Sequence, residues 1–134
     1  MDIAIRYYSK SGRTKSIADM FGQELGVKAL SITEDNPYEL TADLLFIGGA
    51  PYANIMAPEL DAYVRRIDSA QVKQVVLFTT SNWSMRTVKA MRKILEEKGI
   101  PVTEEYFSAN AFKMKDGIRR ADGFARDMAE KYAI

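Results

Sequence analysis

The chain has 134 residues, 47% of them hydrophobic and 28% charged, a composition that excludes the disordered and membrane classes at a length where a sizeable core is available. Nineteen basic against 18 acidic side chains leave a net charge of +1, so no global field draws nucleic acid or an anionic membrane. With neither Cys nor His, the chain has no disulfide, thiolate nucleophile, iron–sulfur ligation, imidazole metal site or Ser-His-Asp triad, and any electron transfer falls to a bound cofactor.

The chain opens Met1-Asp2 and runs directly into Ile3, Ala4 and Ile5, leaving no room for a signal peptide, and no apolar run reaches the roughly 18 residues of a membrane span; a cytoplasmic protein is expected. A first strand covers about Asp2 to Tyr8. Ile17, Phe21 and Leu25 then recur at i, i+4 and i+8, predicting a helix from about Arg13 to Leu25 that Gly26 stops. A second strand spans about Val27 to Ile32, and Glu34 to Leu40, with its Asn36-Pro37 pair, reads as a loop or a single helical turn. The third strand is the clearest: Leu44-Leu45-Phe46-Ile47 is a continuous apolar run ended by Gly48-Gly49, as in a central strand covered on both faces. Pro58 suits the first turn of a helix striped by Leu60, Val64 and Ile67. A fourth strand runs from Val75 to about Thr80, followed by a helix carrying Val88, Met91 and Leu95 that ends at Gly99, with Pro101 beyond. The fifth strand, about Pro101 to Ser108, holds adjacent Glu104 and Glu105, the charge pattern of an edge. Lys113-Met114-Lys115 reads as a solvated turn before a last helix, which carries Ile118, Ala121, Ala125, Met128 and Tyr132 on one face.

Strands alternating with amphipathic helices predict a single α/β domain over residues 1–134, a doubly wound parallel sheet. Such sheets bind ligands outside the carboxyl ends of their strands, where strand order reverses. The loops to inspect are therefore Ser9 to Thr14, Gly48 to Pro58 and Thr80 to Thr87. None contains an acid, while Lys10, Arg13 and Arg86 supply cations, which suits an anionic or electron-rich ligand and argues against a metal site built from carboxylates. A phosphoacceptor receiver domain is excluded, because Gly48-Gly49 and Tyr8-Ser9 stand where its acidic residues belong.

The first loop carries the sharpest signal. Ser9, Ser11 and Thr14 offer hydroxyls, Gly12 permits a tight turn with exposed amides, and a helix N-terminus follows, together an anion cradle. It lacks the glycine spacing of a nucleoside-triphosphatase loop or of a dinucleotide fingerprint. Serine and threonine at this position also serve simply to cap a helix.

The run Tyr8-Ser9-Lys10-Ser11-Gly12-Arg13-Thr14 resembles the Thr/Ser-x-Thr/Ser-Gly-x-Thr phosphate loop of flavodoxins, and Gly48-Gly49-Ala50-Pro51-Tyr52, followed by Pro58, is similar to their second flavin loop. Over essentially the whole sequence the order and length of elements resemble a short-chain flavodoxin. The resemblance implies a flavodoxin-like three-layer sandwich, with a five-stranded parallel sheet of order 2-1-3-4-5 and helices on both faces. It implies FMN as cofactor, its phosphate held by Ser9, Lys10, Ser11, Gly12, Arg13 and Thr14 and its ring bordered by Pro51, Tyr52, Ala53 and Asn54. Tyr52 could stack on the ring with its hydroxyl in water, or pack on Pro51 or Pro58. Flavodoxins often flip a peptide in this loop to stabilise the half-reduced flavin, which needs positive φ, and Asn54 tolerates that region.

The third loop departs from the family: Thr79-Thr80-Ser81-Asn82-Trp83-Ser84-Met85 has neither glycine nor acid. Trp83 is placed to cover the flavin or to pack as a core or cap residue, and Ser81, Asn82 and Ser84 to bond the pyrimidine edge or to form the turn before the helix. Charge departs as well, since flavodoxins are commonly acidic; cations beside the flavin would make it easier to reduce. The implied function is an FMN-binding electron carrier between a reductase and an electron acceptor, monomeric or a weak homodimer, without a catalytic side chain. A small FMN-dependent oxidoreductase of the quinone-reductase kind and an interaction module that has lost its flavin are the rival readings.

Overall fold

The computed structural model describes residues 1–36 and 39–133; the Asn36-Pro37 pair, expected in a loop or single turn, reaches outside the described residues. The elements in chain order are β1 (Ile3–Tyr8), α1 (Arg13–Leu25), β2 (Ala29–Ser31), β3 (Leu44–Gly49), β4 (Pro51–Tyr52), β5 (Ile55–Met56), α2 (Pro58–Arg66), β6 (Val75–Ser81), α3 (Arg86–Glu97), β7 (Val102–Asn110) and α4 (Met114–Lys131). Five strands form one parallel sheet in the order β2-β1-β3-β6-β7, which is the expected 2-1-3-4-5 when the large-sheet strands alone are counted.

The apolar run of β3 is divided by the pleat between two layers. Leu44 and Phe46 face α1 and α4, in a core with Ile5, Ile17, Phe21, Phe78 and Phe107, while Leu45 and Ile47 face α2 and α3, with Leu60, Val64, Leu77 and Met91. Phe21 centres the first layer: its ring lies 5.1 Å from Phe78, 5.4 Å from Phe46 and Phe107, and 5.8 Å from Phe124, in tilted and edge-on contacts that aromatic quadrupoles favour. Gly48 pairs with Phe78 across the β3–β6 ladder, and a Cβ there would stand 2.4 Å from the Phe78 ring. The glycine is thus a packing requirement, and it does not end the strand as expected: β3 continues through Gly49.

Three further boundaries differ from expectation. β2 is shorter, and β7 runs on to Asn110 as the expected edge strand. Met114 opens α4 and packs on the core, so only Lys113 of the expected solvated turn precedes the helix. The hairpin of β4 and β5 inside the second loop was not expected. Between Val75↔Val102 and Leu77↔Tyr106, β7 bulges; Thr103 Oγ1 donates to the Glu105 carbonyl at 2.8 Å and Arg92 Nη2 to the Thr103 carbonyl at 2.9 Å, so the displaced backbone keeps its partners. Among the described residues no helix is long and apolar enough to cross a membrane.

Candidate functional site

β1 delivers the chain at Ser9 to the carboxyl edge of the sheet, and the turn into α1 depends on Gly12, the N-cap, whose φ of +92° favours glycine. The loop braces itself. Ser9 Oγ accepts the Gly12 N–H at 3.0 Å, Ser11 Oγ accepts the Arg13 N–H at 3.3 Å, and Ser16 Oγ donates to the Gly12 carbonyl at 2.9 Å. Both Ser9 and Ser11 accept in these bonds, so each hydroxyl proton remains free to donate, while the first-turn N–H groups of α1 have no carbonyl within the helix to meet. Of the expected donors, Thr14 is the one withdrawn: it is buried, and its Oγ1 lies 2.7 Å from Thr80 Oγ1. The neighbouring Thr79 Oγ1 donates to the Gly49 carbonyl at 2.7 Å. Through these bonds Thr79 and Thr80 fasten the end of β6 to the end of β3 and to the first turn of α1.

The second loop is a hairpin closed by Ala53 (φ +51°) and Asn54 (φ +62°), both left-handed as in a two-residue type I′ turn, so the backbone freedom expected of Asn54 is shared with Ala53. Tyr52 is held by the first loop. Its hydroxyl accepts the Lys10 N–H at 3.0 Å, the Lys10 ammonium sits 4.5 Å from its ring centroid, and Tyr8 meets it edge-on at 6.1 Å. The hydroxyl accepts that bond at an exposed position with its proton left to donate, and Tyr52 meets Tyr8, joining the loops. Burial and the Glu59 carboxylate push the Tyr8 hydroxyl above its ordinary range, keeping it neutral.

In the third loop Ser81 Oγ donates to the Ser84 carbonyl at 2.7 Å and Ser84 Oγ accepts the Arg86 N–H at 3.3 Å, a brace that leaves Trp83 standing clear. Trp83 is 85% exposed, which overturns the core alternative.

A cleft of about 650 Å³ lies between the loops, within the usual range for small-ligand sites. Ser11 and Arg13 line it from the first loop, Pro51, Tyr52 and Asn54 from the second, and Ser81, Asn82, Trp83 and Ser84 from the third. Ser9, Lys10, Gly12, Thr14 and Ala53 form none of its wall; they brace the residues that do. Ala50, Thr80 and Ala111 line it without having been expected. Thr80 and Ala50 lie in loops already singled out, and Ala111 follows β7, away from the point where strand order reverses. None of the lining residues is acidic, and Arg13 is the charged one. Chemically the cleft offers hydroxyls, amides and a guanidinium together with small apolar and aromatic surface.

No protein-family model matches the chain, and no curated protein matches it. Solved structures do. A flavodoxin 2 from Bacillus cereus, in its oxidised form, is 24% identical with a TM-score of 0.80, over 98% of this chain and 99% of that one. A flavodoxin from the domain Archaea is 20% identical with a TM-score of 0.79, over 100% of both chains. A Fusobacterium nucleatum flavodoxin bound to flavin mononucleotide is 14% identical with a TM-score of 0.77, over 98% and 99%. The chain therefore has the flavodoxin fold, an α/β sandwich in which the cleft just described stands at the carboxyl end of the parallel sheet.

Proposed function

We propose that this chain is a flavodoxin, a single domain over residues 1–134 that binds FMN in the carboxyl-end cleft and passes electrons between a reductase and an acceptor. The observation that carries the reading is that one carboxylate-free cleft is lined both by Ser11 and Arg13, at the α1 N-terminus, and by the exposed indole of Trp83 with Ala50 and Pro51. A phosphomonoester needs amide, hydroxyl and guanidinium donors, and a planar heterocycle needs an aromatic or small apolar neighbour; the residues present fit both.

Bound FMN would supply the one- and two-electron chemistry. The chain does the rest. Ser9 holds the Gly12 amide from behind the wall, while Ser11 holds the Arg13 amide and would donate its hydroxyl proton to the phosphate, whose charge Arg13 would balance. Asn54, Ser81, Asn82 and Ser84 offer polar edges to the ring, and Trp83 covers it from water. No carboxylate, lysine or imidazole lines the cleft, which favours a carrier over a quinone-reductase-like enzyme. The nearby cations favour the reduced, anionic flavin, so the potential for full reduction should be less negative than in an acidic carrier. A potentiometric titration giving a very negative second potential would argue against that.

The reading is tested by titrating FMN into the purified chain and following its absorbance, beside Ser11→Ala and Gly12→Val. Binding should weaken about tenfold or more in Gly12→Val, since a β-branched residue at positive φ distorts the loop, and less in Ser11→Ala. Equal affinity in all three would place the phosphate elsewhere. A flavin-free interaction module is the second reading; it draws on the Gly12 and Arg13 N–H groups being taken by the Ser9 and Ser11 hydroxyls.

A further inference from the structure

We infer that the face around the cleft mouth is a docking surface for an acidic protein, one that presents apolar surface accompanied by carboxylates. The inference rests on the proposed flavin reading only in giving that partner an electron to exchange. Among the described residues the exposed large hydrophobics are Met1, Ile55, Trp83, Tyr106 and Phe112. Three of them, Ile55 at 56%, Trp83 at 85% and Phe112 at 75%, stand on three different loops at the carboxyl end of the same sheet. Single exposed apolar residues are ordinary, but a set converging on one mouth from loops after β3, β6 and β7 is the pattern of an interaction site. A planar ligand under Trp83 would cover part of that indole. Ile55 and Phe112 line no part of the cleft and stay exposed beside residues that do, Asn54 and Ala111.

Charge names the partner. Lys10, Arg86 and Lys113 stand on the same set of loops without lining the cleft, and among the described residues none of them forms an ion pair. On the helices the pattern differs: Arg65 holds Asp61 at 2.6 Å and Lys15 holds Asp19 at 2.7 Å. The carboxylates nearest these loops are engaged, whereas Glu34 and Glu39 lie exposed after β2, at the edge of the sheet opposite β7. Asp116 is held by Arg119 at 2.6 Å and Arg120 at 2.9 Å, and Glu59 acts on Tyr8. What remains on these loops is apolar surface accompanied by cations without an acidic partner, which selects a partner of opposite sign by steering and by the cost of juxtaposing like charges. A nucleic acid fits less well, because exposed apolar side chains share these loops with the cations and the chain's net charge is only +1.

The test uses the ¹⁵N-labelled full chain, FMN-saturated and FMN-free, titrated with three probes: an acidic plant-type [2Fe–2S] ferredoxin, a basic c-type cytochrome and a short DNA duplex. The ferredoxin should shift the amides of Ile55, Trp83 and Phe112, bind at least about tenfold more tightly than the cytochrome, and lose affinity as salt rises. Arg86→Glu with Lys113→Glu should weaken it about tenfold and Phe112→Ser severalfold, with FMN affinity unchanged in the Phe112→Ser variant. Equal or tighter binding of the cytochrome, tighter binding of the DNA, or indifference to the charge reversals would overturn the inference. If FMN fails to bind while the ferredoxin still docks, the flavin reading falls and the surface stands; if FMN binds and no charge preference is seen, the surface falls alone.

Discussion

At the scale of single residues, the site is built by short polar side chains that spend one hydrogen-bonding capacity on the fold and keep another for a ligand. Ser9 and Ser11 accept loop amides and keep their protons, whereas Thr14 and Thr80 satisfy each other behind the wall. Trp83 makes the opposite investment, giving no core contact in exchange for full access to the cleft. Trp83→Ala should therefore leave the melting temperature within about a degree of the parent, since exposed substitutions cost little, yet weaken FMN about tenfold through the lost aromatic contact. Parallel thermal melts and absorbance titrations would check both. Away from the cleft, Tyr63 donates to Asp35, which Arg6 also holds at 3.0 Å, all three largely withdrawn from water. Burial, then the Asp35 carboxylate, raise the Tyr63 pKa, so it remains a neutral donor into alkaline solution. Tyr63→Phe should lower stability by about 1–3 kcal/mol in urea unfolding, the cost of leaving a buried carboxylate short of a donor. Little of this pairing was legible in sequence, because Thr14 meets Thr80 across 66 positions and Tyr63 meets Asp35 across 28. Residue type announces donors without saying which are taken.

Elements show a different division between the legible and the hidden. α1 falls on the residues its apolar stripe predicts, Arg13–Leu25, since the 3.6-residue period, Gly12 before it and Gly26 after it all agree. The β4–β5 hairpin left no such trace: strands of two residues are too short to alternate, and Ala53-Asn54 replaces the Asn-Gly or Asp-Gly that marks a type I′ turn. Ala53→Gly should accordingly raise stability by up to about 1 kcal/mol, by removing the strain of an alanine at φ +51°, while Ala53→Val should lower it; differential scanning calorimetry of the two variants would decide. The edge strand β7 was marked by Glu104-Glu105, but the two carboxylates do different work. Glu104 is exposed, whereas Glu105 accepts Lys131 Nζ and the Tyr132 hydroxyl, each at 2.5 Å, and ties the bulged edge to the end of α4. Those two bonds, Lys131 first, hold the Glu105 carboxyl down at about 2 against an ordinary 4.5. A depressed pKa contributes stability above the unfolded value and loses it as pH falls through the folded one. Glu105→Gln should thus be less stable than the parent at neutral pH, with the difference closing between pH 4.5 and pH 2 in acid-unfolding curves.

For the whole molecule, the fold was legible because pattern suffices for it. A continuous apolar β3, flanked by amphipathic helices, can be buried on both faces only in a parallel sheet with helices on either side. Chains 14%, 20% and 24% identical share that backbone, as expected when layer and period, and not particular side chains, specify it. The cleft was legible in outline for a related reason: strand order reverses between β1 and β3, which opens a crevice there, and the loops on its borders could be named from the strand list. Ala111 was not, because it enters from β7, beyond those borders. Everything functional then turns on whether that crevice takes a flavin by its phosphate. The direct measurement is FMN titrated into the purified chain, with absorbance and melting temperature followed together. The account predicts a perturbed flavin spectrum and, at a hundredfold excess over Kd, about 2.7 kcal/mol of added stability, seen as a rise of several degrees. A spectrum and a melting temperature both unmoved by saturating FMN would contradict it.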